Sequence, residues 1–201
     1  MIKTFKGDRI SLGEFVTILT LRNAVKNKTT EKKMKNQISR TTLYLTRGAI
    51  IAAMYVILTY VSMAFGLDKG VIQFRISEAL CILPFFLPEA VLGLYVGCIL
   101  SNILTGCMLW DVIFGSLATL IGACGARLLH KLPKKLLWLV PLPNVIANTA
   151  IVPFILRYVY GSPDSLGFMM LTVGVGEVVC SLVLGTVLIY SLKKVRFFNG
   201  Q

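Results

Sequence analysis

The sequence predicts an all-α integral membrane protein in which six transmembrane helices form one bundle and both termini are cytoplasmic. The 201 residues are 56% hydrophobic, and their mean hydropathy of +0.76 exceeds what a soluble domain needs for its core. Leu43–Phe65 carries a single charge, Arg47, at its front edge, and an apolar stretch of this length can cross the hydrocarbon core as a helix. Further apolar runs follow almost back to back as far as Leu192.

Each apolar run predicts one span. In chain order the six are Leu43–Phe65, Glu78–Leu87, Pro88–Thr105, Asp111–Leu129, Leu136–Leu156 and Leu166–Leu192. The second is too short to cross upright, since Pro84 interrupts it. We expect it to be extended by Ile72–Ser77 or to lie half-buried against its neighbours, where irregular backbone is tolerated. Five spans would also fit the hydropathy.

The distribution of basic residues favours six spans over five. With the N-terminus inside and six spans, 18 of the 21 Lys and Arg residues lie on the inner side, and only Lys69, Arg75 and Arg157 lie outside. This is the distribution of a multi-pass protein of the cell (plasma) membrane with cytoplasmic termini. An odd count would leave Lys193–Arg196 outside. The net charge of +12 therefore reflects topology and does not indicate nucleic-acid binding.

Three segments follow: a basic cytoplasmic tail at 1–42, the membrane domain at 43–192 and a basic cytoplasmic tail at 193–201. Ile10–Leu21 is too short for a span, and no small-residue cleavage site follows it, which disfavours a signal peptide. The N-terminal tail either lies on anionic lipid as an amphipathic segment or precedes a native start at Met34.

Polar side chains concentrate in the outer half of the predicted bundle. Charged groups inside a membrane mark functional sites by default, because each must be paired or solvated. Glu177 would lie roughly 16 Å below the outer end of the last span. We therefore predict a substrate cavity that opens outward. Its candidate polar residues are Gln73, Arg75, Glu78, Asn102, Asp111, Asn148 and Glu177, with Asn144 deeper and one turn from Asn148.

Several of these residues have a structural alternative. Arg75 and Glu78 could form a salt bridge at the membrane edge. Asp111 stands where a helix N-cap would. Asn102 and Asn148 could join helices by hydrogen bonds. The pattern alone leaves these alternatives open.

Other chemistries find little support. Glu177 is preceded by Gly174 and Gly176, but the sequence does not continue as a phosphate-binding GxGxxG, and no P-loop occurs. His130, the single histidine, lies at the inner end of a span. Glu89 fits ordinary helix-start chemistry on the cytoplasmic side and is excluded from the site. The five dispersed cysteines predict neither disulfides nor a metal site. We expect no enzyme, cofactor or metal.

A face of small residues lies on the first span: Gly48, Ala49, Ala52 and Ala53. Ala49 and Ala53 have the small-xxx-small spacing that allows two helices to approach closely in lipid. The face either packs against another helix of this chain or docks a second membrane protein.

The runs VIQFRISEALCILPFFLPEAVLGLYVGCILSNIL and DVIFGSLATLIGA, with GVGE later, make the chain resemble the queuosine-precursor transporter (QueT) family from about Leu43 to Leu192. The resemblance implies a six-helix S-component of an energy-coupling factor (ECF) transporter. It also implies a partner module of one membrane coupling protein and two ATPases, which accounts for the missing P-loop. In S-components a small face on the first helix meets the coupling protein, and Ala49 and Ala53 match it.

The implied ligand is a 7-deazaguanine, for instance one with an aminomethyl arm. Glu78 and Glu177 could accept from its donor edge and its ammonium, and Asn102 and Asn148 could bond its carbonyl and ring nitrogen. Aromatic side chains that could stack on the ring are Phe74, Tyr95 and Trp110. The alternative function is a self-contained secondary carrier or channel for a small polar metabolite, with Glu177 in proton coupling.

Overall fold

The computed structural model describes residues 2–3, 9–10, 12–67 and 72–194. The chain divides into two compact units, Met1–Tyr44 and Leu45–Gln201. The predicted outer residue Lys69 and most of the predicted C-terminal tail, residues 195–201, lie outside the described residues. The three-segment division made from the sequence stays a prediction.

The first unit begins with two short antiparallel strands, β1 (Ile2–Lys3) and β2 (Arg9–Ile10). Helix α1 follows and runs from Leu12 to Ala64 over 53 residues. The predicted N-terminal tail is thus largely helical. The reason is local, because the sequence holds neither Gly nor Pro from Glu14 to Arg47 and is rich in Lys and Arg, which are good helix formers.

The second unit consists of helices joined by short connections in its described part. After α1 come a short 3₁₀ helix, Ile76–Phe85, which we call the short helix, then α2 (Glu89–Leu104) and α3 (Leu109–Leu128). Two 3₁₀ turns, Leu129–Lys131 and Lys134–Leu139, lead into α4 (Leu142–Tyr158). The last apolar run forms α5 (Leu166–Glu177), a π-helical stretch Val178–Leu184 called the π segment, and α6 (Gly185–Lys194).

Four stretches of the described residues are long and apolar enough to cross a membrane: Gln37–Ala64, Leu109–Lys131, Lys135–Tyr158 and Leu166–Leu192. These correspond to the predicted first, fourth, fifth and sixth spans. The other two predicted spans are shorter. Helix α2 has 16 residues, about 24 Å at 1.5 Å per residue, and the short helix has ten with Pro84 inside it. The helical membrane fold is confirmed, whereas the count of six spans stays a prediction.

Helices α1 and α2 cross at very short range through small residues. A Cβ added to Gly93 would lie 2.6 Å from the carbonyl oxygen of Gly48, and one added to Gly97 would lie 3.0 Å from Cα of Ala52. Both distances are too short for any larger side chain. Close approach of this kind is how small residues stabilise helix pairs in lipid. Half of the predicted small face therefore packs inside the chain.

The other half of that face points away from α2. Ala49 and Ala53 are exposed on α1, while Ala52 is buried. One helix surface thus serves two purposes. Gly48 and Ala52 join α1 to α2, and Ala49 and Ala53 remain available to lipid or to a partner.

The core of the second unit lies beside the short helix. Ile82 of the short helix, Leu94 of α2 and Ile189 of α6 are completely buried together with Tyr55 of α1. The short helix is thereby enclosed by its neighbours, although it is too short to cross a membrane. This burial places Glu78, in the first turn of the short helix, inside the bundle.

Candidate functional site

A small cavity of about 40 Å³ lies among α3, α4, α5, the short helix and the segment before the short helix. Twelve residues line it. They are Gln73, Arg75, Glu78, Asp111, Gly115, Thr119, Asn148, Val152, Ile155, Leu156, Val173 and Glu177. Three carboxylates and one guanidinium thus face a single enclosed space.

Glu78 is held by three donors from three elements. The Tyr55 hydroxyl of α1 donates to Oε1. The Cys81 thiol and the Asn144 amide donate to Oε2 at 3.3 and 3.0 Å. Glu78 is only 2% exposed, so these bonds replace the water that a carboxylate would otherwise bind. Its position is firmly fixed.

Glu177 receives fewer hydrogen bonds than Glu78 does. Its Oε2 accepts from Asn144 Nδ2 at 3.2 Å, and this is the single hydrogen bond that Glu177 receives from the described residues. The Asn144 amide also lies 3.2 Å from the Ser181 hydroxyl. One side chain of α4 therefore joins the short helix, the end of α5 and the π segment, and Glu177 keeps accepting capacity toward the cavity.

Arg75 supplies the positive charge of the cavity lining. Its Nη1 donates to Oδ1 of Asn102 at 3.4 Å. The ion pair with Glu78 that the sequence left open does not form, since the one salt bridge among the described side chains joins Arg47 to Glu89. Asn102 is buried behind Arg75 and orients it. A planar guanidinium with unused donors suits a carbonyl or carboxylate ligand.

Asp111 lies in the first turn of α3, whose N-cap is Met108. Its Oδ2 accepts from the Tyr160 hydroxyl at 2.9 Å, and that hydroxyl accepts from the backbone N–H of Met108 at 3.2 Å. Burial raises the pKa of the Tyr160 phenol, and the Asp111 carboxylate raises it further, so the phenol keeps its proton and donates. The connection between α4 and α5 is thereby tied to the start of α3.

Two glycines allow the backbone to bring these groups together. A Cβ on Gly176 would lie 2.1 Å from the carbonyl oxygen of Gln73, and one on Gly122 would lie 2.3 Å from Oδ1 of Asn144. Any side chain at Gly176 would displace the segment that carries Arg75 away from Glu177. Gly176 of the GVGE run therefore serves packing beside the cavity.

The structure brings together six of the nine predicted substrate residues: Gln73, Arg75, Glu78, Asp111, Asn148 and Glu177. Asn102 stands behind Arg75. Phe74 is half-buried and is not among the lining residues, and Trp110 is 56% exposed and stacks on Phe114 at 5.9 Å. Neither aromatic ring is placed to stack on a ligand in this cavity.

Sequence reasoning missed Tyr55 and Cys81, which donate to Glu78, and Thr119, which lines the cavity. It also missed Ser181, which contacts Asn144 but neither a carboxylate nor the cavity. All four are common residues in apolar spans, so no signal separated them from packing residues. Asn144 was noted as a deep polar group, but its role as a bridge between two carboxylates has no sequence signature.

Glu89 shows a contrasting environment. It lies at the start of α2, is 4% exposed and forms an ion pair with Arg47 Nη1 at 3.1 Å. Its exclusion from the site agrees with this arrangement, because a buried carboxylate with its own cation at a helix N-terminus has no need of a ligand.

Comparison with known proteins identifies the relationship. The profile of the family described as QueT transporter matches residues 45–194. The chain belongs to the QueT transporter family. The resemblance inferred from the sequence is confirmed by this match.

A curated relative is the queuosine precursor transporter QueT of Lactococcus lactis subsp. cremoris (strain MG1363). It is 43% identical to this QueT family member over 74 residues, which are 36% of the present chain and 43% of the relative. The chain thus spans less than half of the length of the curated relative it matches. No solved structure matches the chain.

Proposed function

We propose that the chain captures a queuosine precursor of the 7-deazaguanine type from outside the cell and delivers it to the cytoplasm, as the substrate-binding S-component of an ECF-type ATP-driven importer. The observation that carries the proposal is the cavity in which Glu177 keeps an oxygen without a hydrogen bond from the described residues, and which the Arg75 guanidinium also lines. Family membership and the name of the Lactococcus relative support the choice of ligand.

The charge of the cavity fits a ligand rich in N–H donors. Glu78, Asp111 and Glu177 contribute three carboxylates and Arg75 contributes one cation. Like charges at close range repel, and a ligand ammonium would relieve that repulsion. A 7-deazaguanine with an aminomethyl arm offers both an ammonium and the two-donor edge of guanine. Charge-assisted hydrogen bonds of this kind are the strong ones.

The remaining polar groups suit the acceptor side of the same ligand. The Arg75 guanidinium can donate to the ring carbonyl, and the Asn148 amide can both donate and accept. Asn148 Nδ2 bonds the backbone oxygen of Asn144 at 3.2 Å, which leaves its Oδ1 to accept from a ligand. Donors and acceptors thus face the cavity from different elements, as recognition of an asymmetric heterocycle requires.

The volume indicates that the ligand enters through an opening motion. About 40 Å³ holds only a few water molecules, whereas pockets for drug-sized ligands measure roughly 300–1,000 Å³. The hydrogen bond between Tyr160 and Asp111 ties the connection of α4 and α5 to α3 beside the cavity. We expect ligand entry to require release of this contact, which makes the described conformation a closed one.

Transport would then depend on partners. We propose one membrane coupling protein and two ATPase subunits in the cell membrane, with the exposed Ala49 and Ala53 as the docking face. The chain's own sequence has no P-loop, so ATP hydrolysis would belong to the partners. The orientation with both termini cytoplasmic, inferred from the basic residues, belongs to this proposal.

Reconstitution tests the proposal. The full chain is placed in proteoliposomes alone, and in parallel with a coupling protein and two ATPases, and uptake of radiolabelled 7-aminomethyl-7-deazaguanine is measured. We expect binding by the isolated chain, no uptake by it, and ATP-dependent uptake by the complete complex.

Two results would contradict the proposal. Uptake by the chain alone on an imposed proton gradient would establish the secondary carrier instead. Absence of binding by a well-folded chain, with thermal melting unchanged by the ligand at millimolar concentration, would refute the assignment of the ligand.

A further inference from the structure

Asn144 occupies an unusual position between the two carboxylates of the site. Its Nδ2 lies 3.0 Å from Glu78 Oε2, 3.2 Å from Glu177 Oε2 and 3.2 Å from Ser181 Oγ. The side chain is 1% exposed. An amide nitrogen has two hydrogens, so these two hydrogens serve three acceptors on three elements.

The orientation of this amide follows from its neighbours. The opposite orientation would place the amide oxygen against two carboxylates, and no donor would lie between them. In the described orientation Oδ1 is buried without a hydrogen-bond partner among the described residues, and it lies against Gly122, where a Cβ would be 2.3 Å away. An unsatisfied buried acceptor costs free energy, which is accepted here so that the nitrogen can face the carboxylates.

The consequence concerns the rotamer of Glu177. Glu78 is also held by Tyr55 and Cys81, so it keeps its position without Asn144. Glu177 has Asn144 as its single hydrogen-bond donor among the described side chains. Without that bond the Glu177 carboxylate is free to turn toward the guanidinium of Arg75, which lines the same cavity. Such a pair would neutralise the two charges that a ligand needs.

We propose that Asn144 is a positioning residue that holds Glu177 apart from Arg75, with one carboxylate oxygen presented to an N–H donor of the ligand. This role rests on the proposed function, since it acts on the ligand of the same cavity. Asn144 itself contacts the carboxylates and does not line the cavity. It therefore sets affinity through Glu177.

A double-mutant cycle of Asn144→Ala and Glu177→Gln tests the role, with Ser181→Ala as the matched control. Ser181 contacts the same amide but neither carboxylate. Dissociation constants are measured on the full chain in nanodiscs for two probes, 7-aminomethyl-7-deazaguanine and 7-cyano-7-deazaguanine, beside ligand-free melting curves.

Asn144→Ala should weaken binding of the aminomethyl probe about five- to tenfold, as loss of one hydrogen bond and of the geometry it fixes implies. In the Glu177→Gln background the same change should weaken binding less than twofold, because its effect passes through Glu177. Ser181→Ala should leave affinity within twofold of the wild type.

The two probes identify the ligand group that Glu177 accepts from. A loss confined to the aminomethyl probe assigns Glu177 to the ammonium, and an equal loss for both probes assigns it to the donor edge of the ring. Both outcomes support positioning if the losses vanish in the Glu177→Gln background. Additive losses in that background would show that Asn144 merely stabilises the fold and would overturn the proposal.

A second variant guards against misfolding. Asn144→Ser is smaller and keeps one hydroxyl donor, and it should retain part of the affinity that Asn144→Ala loses. If Asn144→Ala does not fold, the cycle is run with Asn144→Ser and the same criterion applies. A wild-type chain that binds neither probe would refute the proposed function, a result distinct from additive losses in a chain that binds.

Discussion

Buried carboxylates at two places in this membrane protein have different kinds of partner. Glu89, at the start of α2, has an arginine at 3.1 Å. Glu78 and Glu177 are also buried, but they receive neutral donors, Tyr55, Cys81 and Asn144, rather than a cation in contact. Arg75 lines the same cavity and instead bonds an amide.

The difference is the one expected between a structural carboxylate and a ligand-binding carboxylate. A buried carboxylate that serves structure is paired by its own chain, since an unpaired charge in a membrane is expensive. A carboxylate that serves a ligand must be held in place and yet keep accepting capacity. Neutral donors achieve this, because they fix geometry without cancelling the charge. We therefore expect substitutions at Glu89 to change stability and substitutions at Glu177 to change ligand binding.

The largest effect should come from a change that touches neither site. Replacing Ala49 and Ala53 together with Trp enlarges the exposed half of the small face on α1, and we expect complex formation and uptake to be abolished. Ligand affinity of the isolated chain should stay near normal, because the cavity network does not include these residues. Co-purification and uptake are measured beside titration. Loss of binding together with loss of assembly would mean that this face packs internally.

Replacing Glu177 with Gln should lower ligand affinity about tenfold to a hundredfold, since a charge-assisted hydrogen bond contributes roughly 1.5–3 kcal/mol. The amide keeps the shape of the side chain, so the melting temperature without ligand should change little. Titration of 7-aminomethyl-7-deazaguanine into the wild type and the variant measures the affinity. A lowered melting temperature with unchanged affinity would assign Glu177 to structure, as for Glu89.

Replacing Glu89 with Gln is the matched change at the paired site, and we expect the reverse pattern. The free energy of unfolding should fall by about 1–2 kcal/mol, less than for a fully enclosed pair because solvent reaches Arg47. Ligand affinity should remain within twofold of the wild type. Thermal melting and the same titration measure both. A tenfold loss of affinity at unchanged stability would end the distinction drawn between the two sites.

The smallest effect is expected from deletion of residues 1–33. No predicted span and no group of the cavity lies there, so membrane insertion, affinity and uptake should all be retained. Uptake by the complete complex is compared between the full and shortened chains. A shortened chain that inserts and binds but does not transport would show that the basic segment takes part in assembly.

Much of the second unit could be predicted from hydropathy and proline positions. The run around Pro84 was predicted to be too short to cross, and the short helix is the result. Glu78, Arg75 and Glu177 could be singled out as candidate site residues because charged side chains inside an apolar run are rare and usually functional. These arguments depend on composition and spacing, which a sequence displays directly.

The remainder depends on contacts, which a sequence does not display. Tyr55 and Ser181 look like ordinary residues of apolar spans, and only the approach of α1 and the π segment brings Tyr55 to Glu78 and Ser181 to Asn144. The helix from Leu12 escaped prediction because hydropathy reports spans, whereas helix formation here follows from side-chain propensity. Trp110 was assigned by chemistry alone, and its direction on α3 takes it away from the cavity.

The π segment that follows Glu177 has a consequence for related sequences. An α-helix advances about 100° per residue, and a π-helical stretch accommodates an additional residue within an otherwise continuous helix. The direction in which Glu177 projects is therefore linked to how many residues separate it from Gly185, where α6 begins. A homologue with one residue fewer in this interval would turn α5 relative to α6 and present a different side chain to the cavity, even if every residue around the ligand were the same.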